Sequence, residues 1–494
     1  MRLSDLAGKA LMEHSGANGA VDISGITADS RKVGPGFLFA ALDGSVTDGA
    51  RFVPEAERRG AVAVLAGRPV AAGIPVLVSP DPRRCLARMA ARFHGAQPGT
   101  VVAVTGTAGK SSVASFLRQI RQATGAKAAS IGTLGVEGPD GLIAGSLTTP
   151  DPVELHRTMA ALAAGGIDFL SLEASSHGLD QRRLDGVRLA GGIFTNLGHD
   201  HLDYHHDADS YLAAKMRLFR DLLPAGAPAV INLDDARADA VIAAASGEGL
   251  SVTTYGRADG DRTGATTPDL TWRIDAASAE GQDVTFGWQG ARATVRLNLV
   301  GAFQVENVAA AMALCLKLGT AFDACLAALP SLEGAPGRLQ RAGSKGGAAA
   351  FIDYAHKPEA LRAVLQTLRP LTAGRLIVVF GCGGDRDRAK RPMMGIIAAD
   401  LADIAIVTDD NPRGEDPAAI RAEIMAACPD ATEIGDRRAA IRHAAGLLRD
   451  GDILVVAGKG HETGQKVGDT VLPFDDMVET RSALADIARG EVRS

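Results

Sequence analysis

Short apolar runs, each closed by glycine, proline or a polar cluster, recur along the whole chain. The first are Phe37-Leu38-Phe39-Ala40, set off by the turn Gly34-Pro35-Gly36, and residues 61–65. Runs this short and this apolar predict buried strands of a small α/β domain over the first 95 or so residues. Gln97-Pro98-Gly99 reads as its exit linker. A second unit opens with an apolar strand at 101–104, a glycine-containing loop, and a stretch at 111–122 in which Val113, Phe116, Leu117 and Ile120 keep helical spacing. Strand-like runs at 169–172, 192–196 and 229–233 then alternate with alanine-rich helical stretches. That alternation predicts a mostly parallel sheet covered by helices. Period-two stretches such as Thr294-Val295-Arg296-Leu297 predict an antiparallel insertion over about 251–299. A third α/β unit starts near Gly337, where 348–352, 376–380, 404–407 and 453–456 each read as a strand entering a polar loop. Open parallel sheets bind ligands beyond the carboxyl ends of their strands. The loops at 353–357, 381–386, 408–413 and 458–462 are therefore candidate site loops.

Length agrees with this division: 494 residues exceed what one hydrophobic core supports, and about one domain per 150 residues gives about three. With 46% hydrophobic and 22% charged residues the chain is of ordinary globular composition. A net charge of -6 argues against nucleic acid as a partner, so an anionic substrate must be met by local cations, a metal or helix N-termini. The five cysteines are scattered without a C-x-x-C pair, which indicates neither a disulfide framework nor a zinc site and suits a reducing cytoplasm. Residues 1–10 carry Arg2, Asp5 and Lys9 and no signal-peptide core. No apolar run approaches the roughly 18 residues of a membrane helix, so a soluble cytoplasmic protein without membrane insertion is expected.

Thr105-Gly106-Thr107-Ala108-Gly109-Lys110-Ser111-Ser112 follows a strand and opens a helix, the setting in which a glycine-rich loop wraps phosphates with backbone N–H groups. Lys110 would reach the outer phosphates and Ser111 would hold magnesium. The loop fits the shorter G-x-x-G-K-[ST] form, since Val104 stands where the full Walker pattern has glycine. The chain has no Asn-Lys dipeptide and hence no guanine-reading motif, which favours ATP. Glu173 ends an apolar strand in the same unit, where a carboxylate could serve a phosphate-bound magnesium. Residues 196–206 hold His199, His201, His205 and His206; without thiols or an H-E-x-x-H spacing they do not spell zinc, and His205 and His206 read as a polar surface loop. Lys215, by composition alone, is a helix-surface lysine.

Taken in order, these motifs resemble the Mur ligases, and within them the branch that adds diaminopimelate. The resemblance runs from Asp29-Ser30-Arg31 to Gly458-Lys459-Gly460-His461-Glu462, nearly the whole chain. It implies an α/β, three-domain Mur ligase architecture: an N-terminal domain (1–97) for the UDP substrate, a central P-loop ATPase domain (98–336), and a C-terminal Rossmann-like domain (337–494) for the amino acid. Ser30 matches the uridine-side serine, and Thr148, Thr149, Ser175, Gln181 and Arg183 match contacts to the muramoyl peptide. Lys110, Glu173, His201 and Lys215 match catalytic positions. Ser111, Glu173, His201 and a carbamylated Lys215 would form the metal site. Gly106 to Ser112, with Asn307, Arg338 and Asp353, match the ATP contacts, although Asn307 could equally cap a helix. Departures occur at Ala108 and Ser111, where many relatives have Asn and Thr.

Asp410-Asn411-Pro412-Arg413 matches the signature for diaminopimelate, and Arg386, Gly458 and Glu462 match its remaining contacts. Diaminopimelate has a far-end carboxylate that an arginine can clamp with two parallel hydrogen bonds; lysine lacks it, and binding lysine would leave a buried charge unpaired. Read without the family, Asn-Pro-Arg-Gly is merely a good turn. The resemblance thus implies a monomeric ligase using ATP and Mg2+ to join meso-diaminopimelate to UDP-N-acetylmuramoyl-L-alanyl-D-glutamate through an acyl phosphate. A folylpolyglutamate synthetase would share the central chemistry, but that family places its phosphate loop near the chain start.

Overall fold

The computed structural model describes residues 1–8, 11–12, 19–44, 47–139, 141–143, 145, 147–198, 204–205, 207–260 and 267–488. The chain packs as two units, Met1–Tyr255 with Ala310–Thr320, and Gly256–Ala309 with Ala321–Ser494.

In the first unit, strands β1 (Gly25–Thr27), β2 (Phe37–Ala41), β3 (Ala61–Ala66) and β4 (Val76–Val78) form a parallel sheet in chain order. Leu38, Ala40, Ala63 and Leu65 pack on one face, Phe39, Ala41, Val64 and Ala66 on the other. Burial on both faces is why these strands read as continuous apolar runs without alternation. Helix α1 (Pro82–His94) begins at Asp81, whose carboxylate accepts from the Arg84 N–H at 3.0 Å, with Pro82 in the first turn. The expected linker is pinned in place: Gln97 is buried, donates from Nε2 to Gly186 O at 3.0 Å and accepts from Arg188 N–H at 3.0 Å.

A larger sheet follows: β5 (Thr100–Thr105), β6 (Ala128–Gly132), β7 (Gly135–Gly138), β8 (Gly141–Ile143), β9 (Phe169–Glu173), β10 (Leu189–Phe194), β11 (Pro228–Asn232) and β12 (Ser251–Arg257). Their order is β12-β11-β10-β5-β9-β6-β7-β8. The helix expected at 111–122 is α2 (Lys110–Ala123), packed with Val113, Phe116, Leu117 and Ile120 fully buried. One expectation needs correction. Residues 251–257 do not begin the antiparallel insertion, because Pro228↔Ser251 through Asn232↔Tyr255 pair in parallel; the β-branched Val252, Thr253 and Thr254 serve either pairing, and local pattern cannot tell them apart.

The second unit contains that insertion as the antiparallel meander β13 (Leu270–Ser278), β14 (Gly281–Trp288) and β15 (Ala291–Leu297). Its main sheet has β16 (Gln340–Lys345), β17 (Ala348–Asp353), β18 (Leu376–Phe380), β19 (Ile404–Val407), β20 (Thr432–Glu433) and β21 (Ile453–Ala457) in the order β16-β17-β21-β18-β19-β20. All neighbours are parallel except β16 with β17. Strand β18 is buried on both faces, Val378 and Phe380 in one core, Ile377 and Val379 in the other. A hairpin, β22 (Gly464–Val467) and β23 (Thr470–Pro473), follows the last site loop. Among the described residues no helix is long and apolar enough to cross a membrane.

Two helices of this unit, Arg437–Leu447 and Asp476–Ala488, are joined by a fully buried ion pair. Arg437 Nε and Nη2 donate to the two Asp476 carboxylate oxygens at 2.7 Å each, and Nη2 also donates to Ala457 O at 2.9 Å, at the end of β21. Asp476→Ala strands a buried guanidinium without its bidentate carboxylate partner, and a loss of about 3–5 kcal/mol is expected. Thermal and urea denaturation should show it, with the double change Arg437→Met/Asp476→Leu recovering most of the loss.

Candidate active site

The phosphate loop sits where β5 meets α2. Gly106 has φ +150°, and a Cβ there would stand 1.9 Å from Thr195 Oγ1 at the end of β10. Gly109 starts the helix with φ +86°. The end of β10 holds the loop: Thr195 Oγ1 donates to Ala108 O at 2.7 Å, Asn196 Oδ1 accepts from Ala108 N–H at 2.9 Å, and Thr107 N–H donates to Asn196 O at 2.8 Å. Lys110 Nζ donates to Gly106 O and Thr107 O, both at 2.9 Å. Lys215 reaches the same Gly106 O at 2.8 Å from helix α3 (Ala208–Arg217), with its Nζ 4.2 Å from the Tyr211 ring centre. It is not the surface lysine that composition suggests; it is 1% exposed. Tyr211 OH in turn lies 3.2 Å from Thr107 Oγ1.

Glu173 ends β9, directly beside β5 with Val104↔Glu173 in register. Its carboxylate is buried and accepts from Thr133 N–H at 2.9 Å and Thr133 Oγ1 at 3.2 Å. Gly132 makes room for it, since a Cβ would meet Glu173 Oε1 at 2.0 Å. Ser111 and Glu173 line one narrow cleft between α2 and β6. Thr133 Oγ1 lies 3.0 Å from Thr148 Oγ1, and Thr149 Oγ1 donates to Glu173 O at 2.7 Å and accepts from Ser175 N–H at 3.0 Å. Arg183 is half-buried, not the solvated charge a lone arginine suggests, and donates to Thr149 O and to Gln181 Oε1 at 2.8 Å. Burial lowers its pKa. Glu173, Thr148, Thr149, Ser175, Gln181 and Arg183 thus form one connected patch. His205 is 5% exposed and packs among the rings of His177, Tyr204 and Tyr211, so the surface-loop reading fails for it; that ring cluster, supplied by three separate segments, is what buries it. His199, His201 and His206 lie outside the described residues. Ser30, at the end of the first sheet, is buried and donates to Glu55 Oε2 at 3.3 Å.

In the second unit a cavity of about 470 Å3 opens at the carboxyl edge of the main sheet. Arg386, Asp410, Asn411, Arg413, Gly458 and Glu462 all line it, from three of the four expected loops, and Tyr354, His356 and Lys357 come from the fourth. Pro412 is buried in its turn and is not among the lining residues. Asn411 organises the floor: its Nδ2 donates to Glu462 Oε2 at 2.8 Å, and its Oδ1 accepts from Lys466 N–H at 2.8 Å and Lys459 Nζ at 3.0 Å. Arg413 Nη1 donates to Gly384 O at 2.9 Å. Asp410 is buried, and burial raises its pKa. Gly458 has φ +117°, and a Cβ would meet Asp410 Oδ2 at 2.7 Å.

Nearby, Asp353 accepts from Leu339 N–H at 2.7 Å and Ala355 N–H at 2.8 Å, and the Arg338 guanidinium lies 5.2 Å over the Tyr354 ring. Asn307 does not cap a helix; it is buried inside Ala302–Lys317, past the first turn. Sequence reasoning missed Thr133, Asn196, Tyr211 and Lys459. Asn196 begins the histidine-rich stretch and Lys459 lies within the last candidate loop, where a lysine flanked by two glycines was its only signal. Of five non-glycine residues with positive φ among those described, four are Arg182, Leu339, Asp385 and Arg413. Each belongs to or adjoins a candidate site residue, where strain of about 1–3 kcal/mol per residue tends to collect.

Burial pushes the Asp353 carboxyl up to about 6 against the pull of its two N–H donors. Because the folded value lies above the unfolded one, folding takes up a proton; the stability from this group is complete below the unfolded pKa of 3.8 and is lost as pH rises through about 6. Asp353→Asn should therefore gain on the wild type by roughly 1.4 kcal/mol between pH 5 and pH 7, read from urea denaturation at the two pH values.

Comparison with known proteins agrees with this geometry. The models for the Mur ligase family catalytic domain, the Mur ligase middle domain and the Mur ligase glutamate ligase domain match residues 22–94, 104–315 and 337–460. The UDP-N-acetylmuramoyl-L-alanyl-D-glutamate--2,6-diaminopimelate ligase of Rhizobium meliloti (strain 1021) is 53% identical over 494 residues, 99% of this chain and 100% of its own. The ligase of the same name from Brucella melitensis biotype 1 is 55% identical over 474 residues, 95% of this chain and 96% of its own. A solved structure of a ligase of that name superposes with a TM-score of 0.75 at 34% identity, covering 99% of both chains. A Mycobacterium tuberculosis folylpolyglutamate synthase complexed with ADP shares the fold at a TM-score of 0.60 and 19% identity, over 76% of this chain and 91% of its own. With the phosphate loop, the acidic strand end and the arginine-lined cavity in these positions, and identity above one half along nearly the full length, the chain belongs to the Mur ligase family.

Proposed function

We propose that this protein joins meso-diaminopimelate to UDP-N-acetylmuramoyl-L-alanyl-D-glutamate with ATP, releasing ADP and phosphate, as a step of peptidoglycan synthesis. The observation that carries the reading is the cavity lined by both cations and carboxylates, Arg386 and Arg413 with Asp410 and Glu462, in a chain otherwise built like the ligases named above. Diaminopimelate presents a carboxylate and an ammonium at its far end, and a site with both signs of charge meets both. Functionally we divide the chain into 1–97 for the uridine end, 98–336 for ATP and 337–494 for the amino acid. A monomer working in the cytoplasm without nucleic-acid partners goes with the scattered cysteines and the net charge of -6.

In the reaction the D-glutamyl side-chain carboxylate takes the outer phosphoryl group of ATP, and the amine then displaces phosphate from the acyl phosphate. Phosphoryl transfer needs mainly positioning and charge neutralisation. Lys110 would leave the loop carbonyls to meet the outer phosphates, within a loop that runs from Gly106 to Ser112. Asn307, Arg338 and Asp353 would hold the rest of the nucleotide. Thr148, Thr149, Ser175, Gln181 and Arg183 would orient the peptide, and Ser30 the uridine. The cleft shared by the Ser111 hydroxyl and the Glu173 carboxylate suits Mg2+, a hard ion that prefers oxygen. Among the described residues no three His, Cys, Asp or Glu side chains are grouped to hold a metal alone, so phosphate oxygens and water would complete its shell. Magnesium there would neutralise phosphate charge. Lys215, carbamylated, would offer a second anionic position, with His201 as a further ligand.

Incubating the purified protein with ATP, Mg2+ and the UDP-dipeptide, and weighing the products formed with diaminopimelate or with lysine, tests the reading. A diaminopimelate adduct with stoichiometric ADP supports it; a lysine adduct alone, or ADP without adduct, overturns it. Arg413→Ala should lower kcat/KM for diaminopimelate about 100-fold, the scale of a charged hydrogen bond lost from a buried site. Lys215→Ala should abolish ligation with partial rescue by short carboxylic acids, and wild-type rates in that variant would refute its role.

A further inference from the structure

The turn after the Ser175 segment has two edges. One carries Gln181 and Arg183. The other is bolted to the first sheet's helix. Asp185, its side chain 3% exposed, sits between three arginines: Arg84 Nε of α1 at 3.4 Å, Arg217 Nη2 of α3 at 3.1 Å, and Arg182 Nη1 at 3.8 Å. Arg182 also pairs with Asp81 at 3.2 Å and Asp221 at 3.5 Å, and Arg217 with Asp221 at 2.9 Å. Three guanidinium groups and three carboxylates thus balance, and Arg182 holds a left-handed backbone, φ +61°, between the two substrate-side residues. Beside the network, Gly186 presses on α1: a Cβ would stand 2.6 Å from Ala87 O and 2.7 Å from Ala91 Cβ. Gln97 clamps the same turn through Gly186 O and Arg188 N–H.

Partly exposed ion pairs add little stability, and the best-attested use of enclosed ones is to select a single arrangement. The arrangement selected here ties the helix packed on the sheet that carries Ser30 to the edge bearing Gln181 and Arg183, and to the helix bearing Lys215. We infer that Asp185 is a positioning residue that sets the spacing between the uridine end and the peptide end of the bound substrate. The inference rests on the function proposed above. Without the Asp185 charge each subsite keeps its own residues, but a substrate spanning both no longer finds them in register; the arginines repel and Arg182 loses the anchor for its strained backbone.

Asp185→Asn and Arg84→Gln are compared with wild type in the ligation assay, with UDP alone as a competitive inhibitor. The expected result is a KM for the UDP-dipeptide raised at least fivefold in both variants, with the inhibition constant of UDP and the KM for diaminopimelate unchanged. An unchanged KM, or a parallel rise in all three constants as a merely structural defect would give, overturns the inference. Should Asp185→Asn fail to fold, Arg84→Gln, which removes one arm from the first sheet's helix and leaves the Asp81–Arg182 pair at its cap, decides alone. Absence of ligation by the wild type would count against the proposed function and not against the network.

Discussion

Parallel pairing of β5 with β9 on one side and β10 on the other is the constraint from which the rest of the ATP-side geometry follows. In a parallel sheet every strand ends at the same edge, so the register Val104↔Glu173 and Phe194↔Thr105 brings a phosphate loop, a carboxylate and a pair of loop-fixing side chains together without any long-range search. The price of such closeness is steric, and it is met by removing side chains. Gly106 faces Thr195 and Gly132 faces Glu173 at distances no Cβ could occupy. Two lysines from different helices then converge on one carbonyl, that of Gly106, an electrostatic focus that a multiply charged phosphate chain would relieve.

The cavity of the second unit meets a different constraint, that of holding both signs of charge out of water. Isolated buried charges are costly, and here each is tied to a neighbour: Lys459 to Asn411 and Glu462, Arg413 to the Gly384 carbonyl, Arg391 to Glu415 and Glu423. Asp410 is buried among them, and burial weakens its acidity. Side chains held by such ties have less freedom to lose, which limits the ordering cost of binding. The strained backbones at Asp385 and Arg413 fit that picture, because only a network that over-determines a residue keeps it at positive φ.

Strand runs, the helix after the phosphate loop and the candidate site loops were legible in the sequence because burial on both faces leaves an unbroken apolar signature and because glycine and proline mark turns locally. The family resemblance was legible for a related reason: its motifs are short, contiguous and ordered. Where local pattern carried no information the sequence was silent or misleading. Strand 251–257 pairs in parallel instead of opening the insertion, and pairing partner is a property of two segments, not one. Lys215 and His205 looked like surface residues because nothing in their own neighbourhood reports that Gly106, Tyr211 and His177 fold over them.

The sequence by itself determined most of the buried strands, the helix after the phosphate loop, and which loops leave those strands as candidates for chemistry. Only the tertiary structure decided which charges neutralise which. Thr133 holding Glu173, Lys459 reaching Asn411, and Asp185 meeting Arg84 and Arg217 are pairings between residues far apart in the chain. Coulomb and hydrogen-bond energies depend on distances of a few ångströms, and those distances exist only once the strands have paired and the helices have packed.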